Sequence, residues 1–247
     1  MTALFITGWA CALTFGGGLI ALRLEAYRAF VIAFAAGALV GSALMDVIPD
    51  ALDLLTRSQS PLYHHHHVLL ATTLGFLFFY LLEQVSHWNG HGDHGEHKHG
   101  HGRDRAGLLG AAGIGVHSLL DGIAVGEAFR AGNGIGWTVA LAVVLHKFAD
   151  GVSTVGIMVS TGRSRPQVNA MLALTTVAPL AGLALQAYVP LPLDSLALVL
   201  GWFAGVFLYL GAAALIPAAH AASRSGYVPV ATLLGVVMVY VLTRAAQ

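Results

Sequence analysis

Eight apolar stretches, each near the length of a bilayer crossing, take up most of this 247-residue chain. About 20 apolar residues in a helix cross the roughly 30 Å hydrocarbon layer. A backbone inside that layer must satisfy its own hydrogen bonds, which a helix does. The stretches run over about 3–22, 29–52, 67–88, 107–129, 136–161, 167–188, 195–219 and 228–244. Only 10% of the residues are charged, against about 25% in average globular proteins. The sequence therefore predicts an all-α, polytopic membrane bundle of eight transmembrane helices, a single domain over residues 1–247 with the lipid bilayer as its solvent. Formal net charge is zero, so nothing points to nucleic acid. Cys11 is the single cysteine and can form no intrachain disulfide. The first apolar run has no basic residue before it and reads as a retained helix rather than a secretory signal.

The charged residues between the stretches orient the bundle. With the N-terminus outside, the inner connections carry Arg23, Arg28, Lys98, Arg103, Arg105, Arg163, Arg165 and Arg224. The outer side carries Arg57, Arg130 and Arg244. Basic residues favour the cytoplasmic side, so both termini are expected outside a plasma or inner membrane. Lys147 fits neither group, because it lies inside a span.

Two motifs recur within spans. His117-Ser-Leu-Leu-Asp121-Gly122 in the fourth is echoed by His146-Lys-Phe-Ala-Asp150-Gly151 in the fifth. Ala36-Gly37 to Ile48-Pro49 in the second is echoed at equal spacing by Ala204-Gly205 to Ile216-Pro217 in the seventh. Each pair runs in opposite directions through the membrane, as inverted repeats do around a midplane site. Small and apolar residues recur often in membrane helices, so chance competes with the second echo far more than with the first.

An intramembrane carboxylate costs about 2.5–3.5 kcal/mol on insertion scales. Residues four apart share a helix face, so two facing helices would present His117, Asp121, His146 and Asp150 to one point. Imidazole plus carboxylate suits Zn²⁺ and also Fe²⁺, Mn²⁺, Co²⁺ or Cd²⁺. Either pair alone reads equally well as a hydrogen-bonded buried pair; the duplication favours a metal. Gly122 and Gly151 would let a neighbouring helix approach closely. Lys147 would repel a second cation or pair with a carboxylate, which points to one principal ion; alternatively it snorkels to a polar cavity.

Accessory positions follow. Asp46 and Asp50 would concentrate cations at an outer mouth, and Pro49 would free a backbone carbonyl there. Asp50 reads equally well as a helix-end charge in water. His220 is an exit ligand or an interfacial histidine. Gln186 would line a cavity as a neutral group, while Glu83 and Glu127 read as solvated helix-end charges. The tract between the third and fourth spans holds His91, His94, His97, His99 and His101, a loose metal-binding composition that releases its ion on acidification. His64 to His67 form a second tract on the outer side.

With these residues in hand, the chain resembles the ZIP (Zrt/Irt-like) divalent metal transporters over nearly its whole length. H-S-L-L-D-G and H-K-F-A-D-G are the specific marks. A-G-A-L-V-G-S-A-L-M-D-V-I-P-D and A-G-V-F-L-Y-L-G-A-A-A-L-I-P are weaker ones. The resemblance implies transport toward the cytoplasm, a homodimer, no prosthetic group, and zinc or another divalent ion as substrate. It places the principal site at His117, Asp121, His146 and Asp150. Ser118 and Lys147 stand where many members have second-metal ligands. The family mostly uses glutamate where Asp121 and Asp150 stand, and Ala218 follows Pro217 where an acidic residue is common. A membrane-embedded zinc hydrolase is the alternative, with His117, His146 and one Asp as ligands and Ser118 nearby, although no H-E-x-x-H occurs. A sensor or buffer using only the tract histidines is a third reading.

Overall fold

The computed structural model describes residues 1–88, 101–188, 191–223 and 226–246. These form helices α1 (Thr2–Arg23), α2 (Arg28–Ser42), α3 (Ile48–Ser58), α4 (His65–Trp88), α5 (His101–Ala131), α6 (Asn133–Ser160), α7 (Arg165–Gln186), α8 (Leu193–Leu208), α9 (Ile216–Ala222) and α10 (Tyr227–Ala246). Eight spans are long and apolar enough to cross a membrane, and no strand occurs among the described residues. Two spans are composite. The second joins α2 to α3 through a π turn at Ala43–Val47, and the seventh joins α8 to α9 through a π turn at Tyr209–Leu215. The spans begin and end within a few residues of the hydropathy boundaries, except that the second continues to Ser58.

Local chemistry explains the ends. Gln59 stops α3 in the left-handed conformation at φ 50°, and Gly162 turns the chain after α6 at φ 70°. α7 opens on a capping box, in which Gln167 Oε1 accepts from the Ser164 backbone N–H at 3.1 Å. Each π turn comes just before an Ile-Pro pair. Proline has no N–H to give the preceding turn, and a wider turn absorbs the break without ending the span.

Burial divides the spans by position. The fifth is 88% buried, whereas the third and eighth are each 22% buried. The central helices are therefore those carrying the two H-x-x-x-D-G copies and the two composite spans, and the outer faces of α4 and α10 expose leucine, valine, phenylalanine and tyrosine. Such faces suit lipid rather than water.

Packing turns the sequence echoes into a symmetry. α1 packs on α6 and α5 on α7; α2 packs on α10 and α4 on α8. Exchanging α1 with α7, α2 with α8, α4 with α10 and α5 with α6 leaves these four pairings unchanged. The exchange holds at single residues. Gly151 of α6 lies on the Thr14 carbonyl of α1, and Gly122 of α5 on the Pro179 carbonyl of α7. The glycines of the other echo behave alike: Gly37 meets the Thr232 carbonyl of α10, and Gly205 the Thr72 carbonyl of α4. A side chain at any of these glycines would overlap a carbonyl of the neighbouring helix. Backbone proximity of this kind holds membrane helices together where no hydrophobic drive exists.

Candidate metal centre

His117 and Asp121 occupy successive turns of α5, and His146 and Asp150 successive turns of α6. The two helices bring them together: one ligand atom from each of the four lies within 4.8 Å of every other. All four are at most 4% exposed. The imidazoles stand with ring centres 5.6 Å apart. Asp121 Oδ2 is shared, at 3.3 Å from Nε2 of both His117 and His146. The hydrogen bond runs to His146; neither ring nitrogen of His117 has a hydrogen-bond partner. Buried polar atoms are ordinarily paired, so His117 presents free donor capacity to the centre of the cluster. Phe207 of α8 meets its ring edge-on at 4.8 Å and keeps that side apolar.

Lys147 is fully buried, and its ammonium is part of the centre. It donates to Asp121 Oδ2, to Asp150 Oδ2 at 2.5 Å and to Ser118 Oγ at 3.1 Å. Ser118 in turn donates to Asp150 at 3.4 Å. Of the roles open to Lys147 in the sequence, pairing with carboxylates is seen; its ammonium is buried between Asp121 and Asp150 rather than snorkelling to a polar cavity.

The family model described as ZIP zinc transporter matches residues 2–109 and 89–243. The chain belongs to the ZIP zinc transporter family. It is similar to the zinc transporter zipt-7.1 of Caenorhabditis briggsae, 28% identical over 237 residues that cover 76% of this chain and 60% of that protein. It is also similar to the zinc transporter SLC39A7 of Homo sapiens, 37% identical over 79 residues covering 32% and 17%, and to the zinc transporter YKE4 of Saccharomyces cerevisiae, 26% identical over 167 residues covering 62% and 46%. The chain thus spans less than two thirds of the length of these relatives.

Within this ZIP chain the other sequence-selected positions are placed unevenly. Asp46 does not stand at a water-filled mouth. It is 3% exposed, and its Oδ2 lies 2.6 Å from Nδ1 of His146. The π turn at Ala43–Val47 holds it there, a local change of helical register that Pro49 hints at without specifying. Asp50 is half-buried and lines a narrow cavity of about 40 Å³ together with Asp53, Val143, His117, Asp121 and His146. This cavity lies between the first turns of α3 and three of the four cluster residues, His117, Asp121 and His146.

Gln186 lines none of the described cavities; it packs over Gly126 and donates to Glu127 Oε1 at 3.2 Å. Glu127, which reads as a solvated charge in the sequence, is largely buried and also pairs with Arg130 at 3.5 Å. His220 is exposed, and its Nδ1 lies 3.0 Å from the Ile216 carbonyl one turn back; it reaches neither the cluster nor the large cavity at the other end of the bundle. Glu83 is the reverse case. It accepts a hydrogen bond from the Tyr209 hydroxyl and lines that large cavity, rather than standing in open solvent. Its sequence signal was only its place on an otherwise apolar helix. His91, His94, His97 and His99 lie outside the described residues, as does the side chain of His101.

Proposed function

We propose that the chain is a carrier for a divalent transition metal, zinc first among them, moving it toward the cytoplasm through the cluster of His117, Asp121, His146 and Asp150. The observation that carries this reading is a buried imidazole, His117, with neither ring nitrogen hydrogen-bonded, inside a group of two carboxylates and a second imidazole. Membership of a zinc transporter family and the zinc transport named for its relatives support the choice of ion. The cluster and its neighbours hold three carboxylates, Asp46, Asp121 and Asp150, and one ammonium, Lys147, which pairs with Asp121 and Asp150 while Asp46 contacts His146. With neutral imidazoles this leaves two formal negative charges, which one divalent ion balances. Ser118 and Lys147 therefore stand in for a second ion rather than holding one.

The cavities support a route. Asp50 draws the ion into the narrow passage, Asp121 and the histidines replace part of its hydration, and the wide cavity at the far end receives it. All four ligands sit on α5 and α6, while Asp46 belongs to the second span. Motion of α5 and α6 against that span would carry the ligands together and break the Asp46–His146 contact, as alternating access requires. The positive-inside pattern supports both termini outside a plasma or inner membrane, and a homodimer belongs to the same reading. The tract histidines would buffer the released ion. A hydrolase would need room for a scissile lipid or peptide beside the ion, and the described cavity lined by His117, Asp121 and His146 has about 40 Å³.

The test is zinc uptake into liposomes holding only this protein, across a panel of Zn²⁺, Fe²⁺, Mn²⁺, Co²⁺ and Cd²⁺. His117→Ala combined with Asp150→Ala should abolish uptake. Transport at the native rate by that double variant would overturn the assignment.

A further inference from the structure

The cavity opposite the narrow passage has a volume of about 620 Å³, and nothing in the central cluster lines it. Its wall is built from the ends of α2, α4 and α6 and from the π turn and α9 of the seventh span. Among the described lining residues Glu83 is the one carboxylate, beside Phe79, Leu82, Leu210 and a row of alanines; Arg28 lines the same cavity and donates to the Ser160 carbonyl at 3.1 Å. Three features make this spot more than a solvated helix end.

First, the carboxylate is held. Tyr209 donates its hydroxyl to Glu83 Oε2, and Phe76 packs edge-on against the tyrosine ring at 5.4 Å. The position of the charge is therefore fixed by a residue of the opposite span. Second, Tyr209 begins the π turn that runs to Leu215, and Pro217 follows with no N–H to return. One carbonyl of that turn is thus left without its usual helical donor. Ala213 and Ala214 of the same turn lie on the cavity wall beside Glu83. Third, Glu83 lies in the last turns of α4, shortly before the His-rich tract opens at residue 89.

Resting on the carrier reading above, we propose that Glu83, positioned by Tyr209, is a release ligand: a transient divalent-cation site in the vestibule between the central cluster and the cytoplasm. Its donors are oxygens, a carboxylate with a phenol and backbone carbonyls nearby. Such a set holds zinc less tightly than imidazole with carboxylate does. A staging site on an exit path needs that order of affinities, since an ion must leave each stop as readily as it arrives. The role that the sequence assigns to His220 thus falls to Glu83, because His220 does not reach this cavity.

The experiment is radioactive zinc uptake by the full chain in liposomes, with zinc varied on both sides. Glu83→Gln should lower the maximal rate roughly tenfold while leaving half-saturating external zinc unchanged, because the loading site is intact. Zinc preloaded on the vestibule side should inhibit the native protein and inhibit Glu83→Gln less. Glu83→Asp should recover most of the rate, and Tyr209→Phe, which keeps the charge but not the clamp, should fall between. A merely structural role would lower the amount of folded protein without changing inhibition from the vestibule side. Native rate and native inhibition in Glu83→Gln would overturn the proposal while leaving the carrier reading intact. Should Glu83→Gln not fold, unchanged inhibition in both Glu83→Asp and Tyr209→Phe would overturn it equally. No uptake by the native protein would overturn the carrier reading itself and this inference with it.

Discussion

Replacing Lys147 with methionine tests whether its ammonium serves as a built-in counter-cation. Methionine keeps a four-atom apolar stem and removes the ammonium with its charge and hydrogen bonds. Asp121 and Asp150, 2% and 1% exposed, would then face each other without it. Both carboxylates bind the same nitrogen, Asp150 at 2.5 Å, so their oxygens stand at most about 5 Å apart. Like charges at that separation repel by roughly 3 kcal/mol at an effective dielectric of about 20. Breaking a buried ion pair by removing one partner costs about 3–5 kcal/mol, which agrees. For a chain of this size about 3 kcal/mol corresponds to a melting-temperature fall of roughly 10 °C.

The assay is thermal unfolding of purified protein in detergent, once with chelator and once with excess zinc. Lys147→Met should melt roughly 10 °C below the native protein in chelator. Zinc should then raise the variant by more than it raises the native protein, because a cation can occupy the charge left behind. Equal melting of the two proteins in chelator, or an equal zinc shift in both, would refute the counter-cation argument.

Two further outcomes follow from the packing and from the tract. Gly16 and Gly17 are neighbours on α1, but a Cβ at Gly16 meets nothing within 4 Å whereas one at Gly17 overlaps the Phe148 carbonyl of α6. Gly17→Ala should therefore cost about 1–3 kcal/mol relative to Gly16→Ala in thermal unfolding; equal stability would mean that α1 and α6 are not in backbone contact there. Deleting residues 89–101 should leave the maximal zinc uptake rate near native, since the tract lies outside every span; loss of uptake would place the tract on the route.

The bundle was legible in the sequence because its signal is one-dimensional: apolar runs of bilayer length, separated by short charged connections. The cluster was legible for a related reason. His117 with Asp121, and His146 with Asp150, are each fixed on one face by four-residue spacing, and the duplication singled both out. Facts that depend on how helices meet were less accessible. Ala-Gly and Ile-Pro repeat visibly, but only packing shows that Gly37 and Gly205 lie on carbonyls in equivalent places and that each Ile-Pro follows a π turn. The π turn at Ala43–Val47 directs Asp46 to His146, and no periodicity argument carries a residue across it. Glu83 and Gln186 show the same limit from two sides. Both lie near span ends, yet one lines a vestibule through a tyrosine of another span while the other is occupied by Glu127. His220 sits on the short helix α9, where a histidine can as easily turn back on its own backbone as face a cavity.

Zinc-edge X-ray absorption on the protein lacking residues 89–101, loaded with one equivalent of zinc, addresses the shared-ion claim directly. The account predicts a first shell of nitrogen and oxygen alone at about 2.0–2.1 Å, with imidazole scattering that disappears in a His117→Ala, His146→Ala variant. A sulfur neighbour at about 2.3 Å, or a spectrum unchanged in that variant, would mean that the ion binds elsewhere.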